Sequence, residues 1–249
     1  MRLTRLFIDG ALVPGAALPL PRGAAQHVAR VLRLQPGDEL RLFNGDGDEY
    51  DARVGVIARD SVTALIGARH AVDRESPLHI TLLQGIARGE KMDLILQKST
   101  ELGVAAIRPL SSLRSNVRLK GDNEGRKHEH WLGVLRSACE QCGRNRVPEL
   151  LPALRVADAL ATLQQSIRLL LEPDESALGL RQLLSLVTEE VPAPIVLLVG
   201  PEGGFDDAEI EAAHAAGFRS CRLGPRVLRT ETAALAALAA LQALAGDLS

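Results

Sequence analysis

Two irregular loops near the carboxyl end of the chain carry the residue types best suited to chemistry. Gly200-Pro201-Glu202-Gly203-Gly204 follows the apolar run Ile195–Val199. Leu223-Gly224-Pro225-Arg226-Val227-Leu228-Arg229-Thr230-Glu231-Thr232 precedes an Ala/Leu-rich segment. A buried strand that stops in glycines and restarts as a helix is how open α/β sheets hold ligands at the carboxyl ends of their strands, so two such loops predict one shared pocket. The first loop has neither the Gly-Lys-Ser/Thr ending of a Walker loop nor the spacing of a dinucleotide fingerprint. Its glycines allow close approach of backbone to a ligand, and Glu202 places at the mouth a carboxylate that repels phosphate and suits a cationic centre. The competing reading is a plain strand-to-helix turn with Asp206 and Asp207 as the helix cap. In the second loop Arg226 and Arg229 flank Val227-Leu228, an arrangement that lets two guanidinium groups face one way while the apolar pair anchors the loop. Thr230 is a candidate N-cap for the helix that follows, a role that would also account for Glu231 in its first turn.

Between Leu113 and Pro148 the residues Arg114, Arg118, Lys120, Arg126, Lys127, Arg136, Arg144 and Arg146 outnumber Asp122, Glu124, Glu129 and Glu140. Such an excess fits contacts to a phosphate backbone, and equally a solvated surface. Trp131 fits a core better than a base-stacking platform. Cys139 and Cys142 lack the second ligand pair that zinc needs, and they end a helix where a redox pair would open one. The six histidines have no metal-ligand spacing, so no metal is expected.

The elements that must position these residues change rhythm along the chain. Residues 1–72 read as short strands with turns at Asp9-Gly10, Pro36-Gly37-Asp38 and Asn44–Gly47, interrupted by a helix near Gly23–Leu32, which predicts a β-barrel-like module. A polar linker over 73–77 leads to residues 78–249, where strands and helices alternate: strands at Leu78–Leu83, Val104–Leu110, Ile167–Leu171 and Ile195–Val199, helices at Glu90–Leu102, Arg126–Cys142, Asp206–Ala216 and Thr230–Ala245. That alternation predicts a parallel sheet with helices on its faces, an α/β fold.

The 249 residues, 46% hydrophobic, suffice for a substantial core. A formal charge of −2 argues against a globally basic nucleic-acid binder and leaves local patches open. Three cysteines without disulfide-like spacing, no signal-like amino terminus and no apolar run long enough for a membrane predict a cytoplasmic protein without membrane attachment.

Several segments, in order, resemble the ribosomal RNA uridine-N3 methyltransferase family, the RsmE-type branch of the SPOUT methyltransferases: Arg5-Leu6-Phe7, His27–Leu34 with Pro36-Gly37-Asp38, Gln97–Val104, Ala138–Asn145, Gly200–Gly204 and Leu223–Ala233. The resemblance implies an amino-terminal PUA-like RNA-binding barrel and a carboxyl-terminal SPOUT-type α/β domain tied in a deep trefoil knot. Periodicity cannot indicate a knot, because chains as a rule do not thread themselves. It further implies S-adenosyl-L-methionine as cofactor, held by Leu198, Gly200, Pro201, Glu202, Gly203, Gly204, Leu223, Gly224, Val227, Leu228 and Thr232. The implied substrate is one uridine of the 16S ribosomal RNA near the decoding centre, in the assembled small subunit, and the implied assembly is a homodimer packed through the knot region.

Under that resemblance Arg229 is the first candidate for positioning or charge stabilisation, and Glu231 or Glu202 for the base. RNA contacts are expected of Arg5, Arg30, Arg33, Arg114, Arg144 and Asn145. For the last two the rival is a helix end at which Gly143 stops the helix and Arg144 complements its dipole. The alternatives to base methylation are a ribose 2′-O-methyltransferase of the same superfamily and a non-catalytic RNA-binding assembly factor. The first is ranked lower because its loops typically carry asparagine and Asn/Ser-rich motifs where Gly-Pro-Glu-Gly-Gly and Arg-Thr-Glu-Thr stand here.

Overall fold

The structure is a computed structural model that describes residues 3–59, 61–115, 122–174, 176–187 and 193–248. Arg118 and Lys120 of the basic segment lie outside the described residues. The chain divides into two compact units, Met1–Glu75 with Arg136–Val147, and Ser76–Leu135 with Pro148–Ser249. The inclusion of Arg136–Val147 in the first unit differs from the expected division of the chain into two consecutive stretches.

In the first unit, strands β1 (Thr4–Phe7), β2 (Ala17–Pro19), β3 (Glu39–Phe43), β4 (Asp48–Ile57) and β5 (Val62–Ala71) form one sheet in the order β1-β3-β4-β5-β2, with β1 parallel to β3 and the other pairs antiparallel. Register shifts in β4–β5, between Tyr50 and Ala52 and between Val54 and Ile57, are irregularities of the kind that bend a strand pair around a core. That core holds Leu6, Val28, Leu40, Leu42, Val54 and Ile66 among others. The expected helix is a short α1 (Arg22–Gln26) that continues as π-helical turns over His27–Val31. It ends near Arg33, the one non-glycine residue with positive φ among those described.

Arg136–Val147 joins this unit through charges that no local pattern announces. Glu49, 6% exposed, accepts from Arg5 and from Arg74 at 3.0 Å. Arg5 also donates to the Arg144 carbonyl at 3.1 Å and to Asn145 Oδ1 at 2.7 Å, Asn145 Nδ2 donates to the Val72 carbonyl, and Arg144 pairs with Glu75. Arg144 and Asn145, expected at RNA, are buried, and they and Arg5, expected there too, are engaged by protein partners. Gly143, at φ 96°, is the helix stop of the rival reading, its N–H bonded to the Cys139 carbonyl. Burial pushes the Cys139 thiol up to about 12, the opposite of what a thiolate ligand or nucleophile needs.

Burial alone would raise the Glu49 carboxyl, but the hydrogen bonds and charges of Arg74 and Arg5 outweigh it and hold the group below its ordinary range. A depressed carboxylate stabilises the fold fully above its unfolded pKa of about 4.3, and that stability is lost as pH falls through the folded value. Glu49→Gln is expected to lower stability at pH 7 by about 3 kcal/mol, because two arginines lose a buried acceptor. It should also flatten the acid-induced loss expected of the unmodified protein below about pH 4. Urea denaturation at the two pH values checks both, and an unchanged midpoint at neutral pH would refute the assignment.

The second unit contains strands β6 (Ile80–Gly85), β7 (Ala106–Ser111), β8 (Glu149–Leu150), β9 (Leu154–Arg155), β10 (Ile167–Leu171), β11 (Leu178–Gly179), β12 (Ile195–Val199) and β13 (Arg219–Arg222). They are paired in parallel in the order β11-β13-β10-β12-β6-β7-β8, with β9 beside β7. Its helices are α2 (Glu90–Glu101), α3 (Asp122–Cys142, whose last turns belong to the first unit), α4 (Val156–Leu160), α5 (Leu180–Val187), α6 (Asp207–Ala215) and α7 (Thr230–Ala245). Every residue of β12 is buried, as a strand covered on both faces requires. Helices α4 and α6 pack together, as α7 does with α2 and α5. Trp131 is buried, as expected. Among the described residues no helix is long and apolar enough to cross a membrane.

Candidate functional site

Strands β13, β10 and β12 are neighbours and parallel, so the segments leaving their carboxyl ends converge. With the strand ends they enclose a cavity of about 730 Å³, lined by Leu170–Asp174 at the end of β10, Val199–Phe205 at the end of β12 and Cys221–Gly224 with Arg226–Thr230 at and beyond the end of β13, together with Lys91 of α2 and Arg114. This volume suits a small organic ligand. The single shared pocket expected from the two loops is present.

Close packing explains the glycines. A Cβ on Gly200 would stand 3.2 Å from Gly204 Cα, and one on Gly203 would stand 3.0 Å from the Arg114 carbonyl oxygen. Gly204 and Gly224 sit at φ 68° and 81°, in the region that favours glycine. Directly after the loop, Asp206 caps α6 in a reciprocal capping box with Glu209, while Asp207 is the first helical residue. The turn reading and the pocket reading thus hold together.

Of the expected cofactor residues, Gly200, Pro201, Glu202, Gly203, Gly204, Leu223, Gly224, Val227 and Leu228 line the cavity, as does Arg229. Leu198 does not, because its side chain lies wholly in the core, and Thr232 is exposed outside the cavity. Val227 is 79% exposed, so it does not anchor its loop. The anchor is Thr230. Arg229 occupies the N-cap position of α7 without a side-chain cap bond, and Thr230 Oγ1 instead donates to the Gly200 carbonyl and accepts from Gln84 Nε2 at 2.9 Å. The residue expected to cap one helix ties the two loops together.

The two carboxylates differ in their partners. Glu202 Oε1 accepts from the Arg88 N–H at 3.1 Å and from Lys91 Nζ at 3.3 Å. Burial would raise this carboxyl, yet those contacts hold it below the ordinary range. Glu231 lies just outside the cavity lining, with Oε2 buried, 3.9 Å from Lys91 Nζ and without a hydrogen-bond donor among the described residues. Arg114 lines the wall and donates to the Phe205 carbonyl at 3.0 Å, whereas Arg30 and Arg33 are exposed on the first unit.

Sequence reasoning missed Lys91, Thr230 as a latch, and the segment after β10. That segment had a signal, since the buried run Ile167–Leu171 also ends abruptly, in Glu172-Pro173-Asp174, but it ends without glycine. Nothing in the sequence sets Lys91 apart from its neighbours.

Residues 74–242 match the family model described as an RNA methyltransferase domain, and residues 20–67 match an RNA methyltransferase PUA domain. The ribosomal RNA small subunit methyltransferase E of Buchnera aphidicola (from Schizaphis graminum) is 34% identical, the match covering 100% of this chain and 99% of that protein. The protein of that name from Bacillus subtilis is 32% identical over 86% of this chain and 85% of its own length. Among solved structures, the ribosomal RNA small subunit methyltransferase E of Neisseria gonorrhoeae, bound to S-adenosyl methionine, superposes with a TM-score of 0.88 at 38% identity. A Legionella pneumophila methyltransferase with bound cofactor SAM does so at 0.93 and 41%. Both cover 100% of each chain.

Proposed function

Because this chain belongs to the ribosomal RNA small subunit methyltransferase E family, we propose that it transfers the methyl group of S-adenosylmethionine to N3 of one uridine of 16S ribosomal RNA near the decoding centre. The observation that carries the reading is the cavity built from three strand ends, in a chain whose full-length neighbours at about 40% identity hold that cofactor.

The residues present fit the cofactor. Gly200, Gly203 and Gly204 let the loop pack closely on itself and on Arg114 while its backbone lines the cavity, Leu223 and Leu228 offer apolar wall, and Arg226 and Arg229 offer partners for a carboxylate. When bound, the cofactor supplies an electrophilic methyl on a sulfonium. The protein's share is to orient the uracil, take the N3 proton and stabilise the charge that develops on O2 and O4. In this reading Arg229, exposed at the start of α7 and lining the cavity, meets that charge, and Glu231, whose Oε2 is buried without a donor among the described residues, takes the proton. Glu202, engaged by Arg88 and Lys91, holds its loop.

The deep trefoil knot belongs to the same proposal. It is supported by the contact of three segments distant in sequence, the end of β6 at Gly85, Gly200-Pro201, and Thr230. Strongly exposed Val227 and Leu113 support a homodimer through this region, and the amino-terminal module with Arg30 and Arg33, together with Arg114, would contact RNA.

Mass-spectrometric mapping of nucleosides, after incubation of protein and cofactor with small subunits or with naked 16S RNA, tests the reading. N3-methyluridine is expected; a ribose methyl, or no product from either substrate, would overturn it.

A further inference from the structure

Glu172 is the first residue beyond β10, and the loop that carries it has no assigned role in the cavity. Its N–H continues the β10–β13 pairing by donating to the Cys221 carbonyl at 3.1 Å, which fixes its backbone. The side chain is fixed as well. Ser220 Oγ on β13 lies 2.7 Å from Glu172 Oε2 and 2.9 Å from His214 Nε2 in the last turn of α6.

A carboxylate only accepts, so the single hydroxyl hydrogen of Ser220 goes to Glu172, and the hydroxyl oxygen accepts from His214, whose proton sits on Nε2. Three elements thus cooperate to hold one carboxylate at the cavity. Asp174, the next acid along the loop, differs: its two oxygens are taken by the N–H and the hydroxyl of Ser176, each at 2.8 Å. Glu172 Oε1 has no protein partner among the described residues.

We propose that Glu172, aligned through Ser220 by His214, recognises the ribose hydroxyls of the adenosyl cofactor. The assignment rests on the function proposed above. An acceptor fixed at the carboxyl end of a parallel strand, beside glycine-bearing loops, is the arrangement by which α/β sheets bind ribose hydroxyls. The apolar Leu171, Pro173, Cys221 and Leu223 around it suit the faces of sugar and base, and a negative charge there disfavours a phosphorylated nucleoside in the same place. Glu172 touches the ligand in this scheme, and Ser220 and His214 are positioning residues.

Calorimetric titration of the purified full chain with S-adenosylmethionine and with its 2′-deoxy and 3′-deoxy analogues tests it. For the unmodified protein, loss of a hydroxyl bonded to a charged acceptor is expected to weaken binding by ~10–100-fold. Glu172→Gln should weaken binding of the ribose form and narrow its advantage over at least one deoxy analogue to within about threefold. Ser220→Ala should narrow the same ratio part of the way, an effect that general loosening of the fold would not produce. A Glu172→Gln protein that melts normally and discriminates as the unmodified one does would overturn the assignment, as would equal binding of all three ligands by the unmodified protein. No heat from S-adenosylmethionine with the unmodified protein would overturn the function and this assignment together.

Discussion

Glu231→Gln is expected to lower kcat for methyl transfer by about 10²–10⁴-fold, the usual contribution of a positioned acid or base, with cofactor affinity within about threefold of the unmodified protein. Uracil N3 carries a proton that must leave as the lone pair forms the new N–C bond, and Glu202 and Glu231 are the two carboxylates beside Lys91. Glu202 already accepts from a backbone N–H and an ammonium, which hold its carboxyl low and its loop in place. Glu231 Oε2 is buried, without a donor among the described residues, and close to the positive charge of Lys91. A buried acceptor left without a partner is costly unless something binds there, and a uracil N3–H is a fitting donor. The amide of glutamine keeps the shape and removes the capacity to take the proton, so the loss should fall on kcat. At Glu202 the same substitution should act mainly through KM for the cofactor, by releasing the loop. Single-turnover measurements at saturating RNA and cofactor decide it: a Glu231→Gln enzyme with unmodified kcat removes this residue from catalysis.

What the sequence could and could not reveal follows from the range of the forces involved. The helix Thr230–Ala245 and the strands Ile167–Leu171 and Ile195–Val199 were legible to the residue, because an unbroken apolar run or an Ala/Leu stretch with sharp boundaries is a local property. Strand β13, Arg219-Ser220-Cys221-Arg222, was not. Only Cys221 in it is buried, and its identity as a strand comes from pairing with β10 and β11. The inclusion of Arg136–Val147 in the first unit was hidden for a related reason: its ties run to Arg5, Val72, Arg74 and Glu75, tens of residues earlier. Isolated charged letters in a basic segment look the same whether they meet phosphate or a buried glutamate. In the site the glycine loops were visible because glycine marks close approach. Glu172 was not visible, since its loop turns on proline, and Thr230 showed only its commoner role.

Gly85→Ala is expected to reduce S-adenosylmethionine affinity by more than about tenfold and to cost about 1–3 kcal/mol of stability, the range for forcing atoms into a packed site. The added Cβ would stand 2.8 Å from the Gly200 carbonyl carbon and closer still to Pro201 N and Cδ. These are backbone and ring atoms, which no rotamer change can move aside, so the loop after β12 must shift as a whole. It has little room, because Gly200 already packs against Gly204 and its carbonyl is bonded to Thr230. Gln84 Nε2 donates both to the Gly85 carbonyl and to Thr230 Oγ1, so the displacement reaches the start of α7 as well. One methyl group thus perturbs both loops of the cavity through contacts that contain no cofactor atom. Gly133→Ala is the control: it lies on the exposed side of α3 with nothing within 4 Å of its added Cβ, and should stabilise by about 0.5–1 kcal/mol through helix propensity. Calorimetry and thermal melts of the two variants separate the outcomes. If Gly85→Ala binds cofactor as the unmodified protein does, the loops after β12 and β13 are not held by the end of β6, and the threaded arrangement proposed for them loses its principal support.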